Sequence, residues 1–204
     1  KPFSLEVEGP QDPVLAGTTV QLLCTVEGAK PAAKVTWYNQ SKVVEPQPKS
    51  YSELTNDGTF KTVSVLEIIV SHFDHQGTFY CKGTNPVLEK NREVPLLKSV
   101  DLQILYQPIT MVQPTEGLVI NETDEAQLFC SFKANPSNLT DVIWYKDGVE
   151  LVGDENQTFE FSVSGVPTLT IRNVSRNDQG HYSCSLTNSI GVGNASNTVE
   201  MNIL

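Results

Sequence analysis

Hydrophobic and polar residues alternate along this chain in short runs, and turn-forming residues separate the runs. Val20, Leu22 and Cys24 share one phase of a two-residue period, as do Val35 and Trp37, Leu66 and Ile68, and Phe79 and Cys81. Successive side chains of a strand point to opposite faces, so this period predicts half-buried antiparallel strands with those residues inward. Helical periodicity is missing. The pattern then recurs as Ala126, Leu128 and Cys130, Val142 and Trp144, Leu169 and Ile171, and Tyr182 and Cys184. The chain is expected to contain one sheet-built unit twice.

Cysteine spacing sharpens that expectation. Cys24 and Cys81 are separated by 57 positions, and Cys130 and Cys184 by 54. A tryptophan follows the first cysteine of each pair by 13 or 14 positions. In that arrangement an indole packs against a disulfide joining two sheets. The predicted fold is all-β, two tandem immunoglobulin-like β-sandwiches at residues 1–106 and 107–204. Both intervals are too short for the two added strands of a variable-type domain, which assigns each unit to the constant-like or intermediate type. Two structural disulfides imply an oxidising compartment, each contributing about 4 kcal/mol in the chain-entropy model. Zinc ligation, the competing use of four cysteines, is disfavoured because no two have ligand-pair spacing.

The units differ at one corner. Asp178, Gly180, Tyr182 and Cys184 place a tyrosine two residues before the second cysteine, where its hydroxyl can bond backbone. In the first unit Phe79 replaces that tyrosine and His75 takes the aspartate position, with Asp74 one residue earlier. Packing is expected to hold this corner instead. Val100–Ile104 reads as a last strand, and Tyr106-Gln107-Pro108 follows without a Gly/Ser-rich stretch, predicting an extended, semi-rigid tandem.

Net charge is −10, and it is unevenly shared. The first unit carries 10 Lys/Arg against 12 Asp/Glu, and the second 4 against 12. An acidic surface disfavours nucleic acid and anionic lipid. Asp147, Glu150, Asp154 and Glu155 lack the spacing and fixed glycine of a calcium loop. His72, His75 and His181 come with no nucleophile elbow, phosphate-cradling loop or metal-binding helix, so no enzyme activity and no cofactor are expected. The chain shows neither an initial apolar signal run nor a final membrane span, and reads as a mature or excised piece of an ectodomain.

Five local motifs carry a more particular resemblance. They are Lys30-Pro31-Ala32-Ala33-Lys34-Val35-Thr36-Trp37-Tyr38, Gly83-Thr84-Asn85-Pro86, the Tyr106-x-Pro108 junction, Ala134-Asn135-Pro136 and Asn197-Thr198-Val199. Together they resemble membrane-proximal domains of Sidestep-type and nephrin-like immunoglobulin-superfamily receptors, with nectin-like adhesion molecules as close competitors. The resemblance implies an extracellular recognition or adhesion module from a single-pass plasma-membrane protein, serving cell adhesion, axon guidance or synaptic recognition. Its partner would be a cell-surface protein: another immunoglobulin-superfamily receptor, of Beaten path type if the chain is Sidestep-like, or a second copy. Sidestep-type binding uses an amino-terminal variable-type domain, which this chain lacks, so a spacer or a secreted binding protein are the alternative roles.

Asn-x-Ser/Thr acceptors occur at Asn39, Asn121, Asn138, Asn156, Asn173 and Asn194, and the five in the second unit mark it as a glycan-shielded spacer. The first unit keeps more open faces. Tyr38 follows inward Trp37 and Tyr80 precedes inward Cys81, so alternation turns both rings outward on neighbouring strands. After Cys81, a long apolar segment containing Val87, Leu88, Leu96 and Leu97 is expected to form a projecting hairpin that needs a covering surface. These six residues are the predicted partner-binding set.

Overall fold

A computed structural model describes residues 2, 4–153, 159–162 and 165–204. The chain divides into two compact units, Lys1–Leu105 and Tyr106–Leu204. Each is a two-sheet β-sandwich closed by one disulfide.

In the first unit the strands are β1 (Ser4–Glu8), β2 (Val14–Leu15), β3 (Thr19–Ala29), β4 (Lys34–Asn39), β5 (Lys42–Val43), β6 (Ser50–Leu54), β7 (Phe60–Ile69), β8 (Thr78–Thr84) and β9 (Leu96–Asp101). One sheet runs β1-β3-β7-β6 and the other β5-β4-β8-β9. The start of β10 (Ile104–Gln113) pairs in parallel with β2. The last strand thus breaks at buried Leu102, whose N–H bonds the Gly77 carbonyl at 3.1 Å.

The second unit uses the rest of β10 with β11 (Leu118–Ile120), β12 (Ala126–Asn135), β13 (Asp141–Lys146), β14 (Val149–Glu150), β15 (Phe159–Ser162), β16 (Thr168–Ile171), β17 (Gly180–Thr187), β18 (Val192–Asn194) and β19 (Val199–Ile203). Its sheets run β15-β16-β12-β10 and β11-β19-β17-β13-β14. A Cβ on Gly193 would fall 1.7 Å from the Pro108 carbonyl oxygen, so only glycine permits this close backbone approach.

The alternating pattern is realised as core. Leu22, Cys24, Trp37, Phe79 and Cys81 are buried in one unit, and Leu128, Cys130, Trp144, Leu169, Tyr182 and Cys184 in the other. Cys24 joins Cys81 and Cys130 joins Cys184, with Cα atoms 6.4 and 6.3 Å apart. Trp37 lies in register with Cys81, and Trp144 with Cys184, so each indole sits beside its cystine.

One expectation is corrected. Packing alone does not hold the first corner, because Ser71 donates to the Asp74 carboxylate from its N–H (2.7 Å) and hydroxyl (2.9 Å). Ser175 and Asp178 repeat this at 2.9 and 3.0 Å. Asp74 is therefore the counterpart of Asp178, and one extra residue before Gly77 is absorbed with Gln76 at φ +59°. His75 serves elsewhere: its Nδ1 accepts from the Ile104 N–H at 3.2 Å.

Candidate functional site

Strand register places Tyr38 of β4 directly opposite Tyr80 of β8. Tyr80 in turn faces Ser99 of β9, and Lys82 faces Leu97. The inward neighbours Trp37 and Cys81 force both tyrosines to the outer side of this sheet. An open groove of about 720 Å³ follows, lined by Tyr38, Tyr80, Thr78, Val94, Pro95 and Leu97, with Gln40 and Lys82 among the polar groups at its walls.

The segment after Cys81 shapes one wall differently from expectation. It forms no simple hairpin: Pro86–Asn91 is a short helix, α1. Asn85 caps it, accepting from the Leu88 N–H at 3.2 Å, and Pro86 occupies the first turn, where a missing N–H costs nothing. Arg92 ends it in the left-handed region at φ +54°. This turn folds Leu88 inward, leaving it only 3% exposed, so Leu88 is core and leaves the partner-binding set. Val87 and Leu96 are half-buried. Leu97, at 55% exposure, and Val94, at 85%, present apolar surface to solvent.

Buried and half-buried carboxamides, which the hydrophobic pattern did not reveal, support the framework. Asn85 Nδ2 donates to the Pro31 carbonyl at 2.9 Å. Asn188 does the same to Pro136 at 2.9 Å, adds Tyr106 at 3.0 Å, and accepts from Ile190 and Gly191 N–H groups. Gln47 spans the Trp37 backbone, and Asn197 spans both backbone groups of Val112. A signal was present: each unit has asparagine four positions after its second cysteine.

The titratable groups are tied to structure. Tyr182 donates its hydroxyl to the Asp178 carbonyl, and burial, followed by the charges of Asp178 and Asp147, pushes its phenol above the usual tyrosine range. The Thr55 and Thr59 hydroxyls donate to Asp57 and hold its carboxyl down at about 2. Asp147 accepts from the His181 backbone at 2.9 Å, with His181 Nδ1 at 3.6 Å. Among the described residues, no group of three or more His, Cys, Asp or Glu is placed to hold a metal ion.

Of the sequon asparagines, Asn121, Asn138, Asn173 and Asn194 are exposed, and Asn39 is half-buried at the end of β4. Asn156, like Asp154 and Glu155, lies outside the described residues. Asn194 stands opposite Ser185 on β17, the position that Leu97 holds opposite Lys82 in the first unit.

The chain matches two domain families: the CD80-like C2-set immunoglobulin domain over residues 5–92 and the immunoglobulin I-set domain over 109–203. It is 30% identical over 201 residues to Cell adhesion molecule 2 of Xenopus tropicalis, spanning 98% of this chain and 44% of that protein. Human Kin of IRRE-like protein 3 is 25% identical over 205 residues, spanning 94% of this chain and 24% of that one. This chain therefore spans less than half the length of these relatives. The crystal structure of the full ectodomain of mouse nectin-like molecule 4 superposes with a TM-score of 0.68 at 23% identity, covering 99% of this chain and 65% of that one. It shares the fold.

Proposed function

Because the chain belongs to the immunoglobulin superfamily, we propose that it is an extracellular recognition and adhesion module that binds a cell-surface protein through the Tyr38–Tyr80 groove. The carrying observation is the register that sets two tyrosines side by side and walls them with Val94, Pro95 and Leu97. Tyrosine pairs give large, stiff contact area with a polar tip, and apolar neighbours exclude water around them. The relatives named as cell adhesion molecules support the same reading. The partner is another immunoglobulin-superfamily protein or a second copy, and the complete protein is anchored by a single membrane span.

A second reading has its own support. Most acceptor sites fall in the second unit, and the matched relative is more than twice as long as this chain, so the pair can act as a glycan-covered spacer. Substitution L97N separates the readings, since Ser99 completes an Asn-x-Ser acceptor. A multimeric wild-type fragment, screened against cell-surface ectodomains, is expected to capture a partner that the glycosylated L97N and the Y38A/Y80A variants lose by at least tenfold. Equal capture by all three removes the groove from the function and leaves the spacer.

A further inference from the structure

A second groove, of about 500 Å³, lies on the other side of β4, lined by Asn39, Ile69, Phe73 and Phe79. Phe73 is 79% exposed and Ile69 74%, an apolar patch that calls for a covering group. The flanking turn is the sequon itself, for Gln40 and Ser41 also line this groove.

We infer that Asn39 carries an N-linked glycan whose first N-acetylglucosamine lies along this groove against Phe73 and Ile69. The internal repeat sets the direction. Asn39 is the counterpart of Lys146, since Tyr38 and Tyr145 each follow the core tryptophan. Phe73 is the counterpart of Asn177, two residues after the serine of each Ser-x-x-Asp corner. In the second unit the Lys146 ammonium donates to the Asn177 carbonyl, so a side chain at this strand end reaches the corner turn. Asn39 is shorter than lysine and leaves that path empty. A sugar fills it: its hydroxyls remain in water while its C–H face covers the phenylalanine ring.

In the attachment step Asn39 Nδ2 bonds to the anomeric carbon of a lipid-diphosphate-linked oligosaccharide. The anomeric C–O bond breaks, the lipid diphosphate leaves with the electron pair, and the amide nitrogen gives up one proton. Strand alternation puts this sugar on the opposite side of β4 from Tyr38, so the glycan stabilises one edge without closing the interaction groove.

The test uses the chain secreted from glycosylating cells. Peptide mass mapping is expected to find Asn39 occupied. Trimming to a single N-acetylglucosamine is expected to keep the melting temperature, whereas S41A, which removes the acceptor but keeps Asn39, lowers it by roughly 4 °C and raises binding of an apolar dye. Adding F73S is expected to abolish the difference between the glycosylated and S41A forms. An unoccupied Asn39, equal melting and dye binding for the two forms, or a full difference persisting in F73S each overturns the inference. Partner capture is measured in parallel, and its failure bears on the Tyr38–Tyr80 groove alone.

Discussion

The two units share a disulfide, an indole and a capped corner, yet they finish these features with different hydrogen bonds. Trp37 donates its indole N–H to Ser64 at 3.1 Å, whereas the buried Trp144 N–H has no hydrogen-bond partner among the described residues. The cause is one position. Ser64 lies opposite Cys24, and its counterpart is Pro167, whose carbonyl accepts from Cys130 but which offers no hydroxyl. At the corner the economy reverses, because Tyr182 adds a bond to Asp178 that Phe79 cannot make. Cystine and indole packing tolerates either solution, so apolar burial sets the fold and polar detail tunes each copy.

The outer faces differ in the same way. Where the first unit has Leu97 beside an apolar groove, the second has the acceptor Asn194, and where the first has Tyr80, the second has Ser183. At these positions one copy presents aromatic and apolar side chains and the other an Asn-x-Ser acceptor motif. The charge imbalance runs in parallel, for the more acidic unit is also the one richer in acceptors.

The largest break in this comparison is expected from the buried asparagines. Asn188→Ala removes four bonds and strands several part-buried backbone groups, costing about 3 kcal/mol, while Asn85→Ala removes two and costs about 2. Hydrogen exchange resolved by unit should show the second unit opening more. Equal losses would mean that backbone shifts or water repair the gaps.

Alkali should separate the units next. The folded second unit holds the Tyr182 proton more tightly than the unfolded chain, whose tyrosine titrates near about 10. Its contribution is complete below that pH and is lost as pH rises above it. Phe79 gives the first unit no such dependence at the same position. Chemical denaturation between about pH 9 and 12 should therefore weaken the second unit, and Tyr182→Phe should flatten that slope while costing about 1 kcal/mol at neutral pH.

Ser64→Ala sharpens the tryptophan comparison by making the first unit resemble the second. Loss of the Ser64 acceptor of the buried Trp37 indole N–H is expected to cost about 1–2 kcal/mol in denaturant unfolding. A change near zero would show that water takes over the indole N–H.

The smallest effect is expected at Asp57, an exposed carboxylate. Its folded pKa of about 2 lies below the ordinary value, so its contribution is present above about pH 4 and is lost as pH falls toward 2. A carboxyl NMR titration should place the midpoint there, and Thr55→Ala combined with Thr59→Ala should return it toward the ordinary range.

Sequence by itself determined the two sandwiches, both disulfides, the inward residues and the outward turn of Tyr38 and Tyr80. These follow from period two and from long-range cysteine spacing, local or covalent rules that survive without coordinates. It misassigned the first corner because one inserted residue shifted the alignment, and only the fold shows Ser71 recovering Asp74 with Gln76 in a positive-φ conformation. Leu88 looked available in a run of apolar residues, but the helical turn that buries it depends on Asn85 reaching both Pro31 and Leu88. Tertiary structure alone decided the Tyr38–Leu97 groove, the neighbourhood of Asn39 and Phe73, and a Trp144 N–H without a partner among the described residues. Each joins residues far apart in the chain, and pairing register and side-chain reach, unlike alternation, exist only after the sheets have closed.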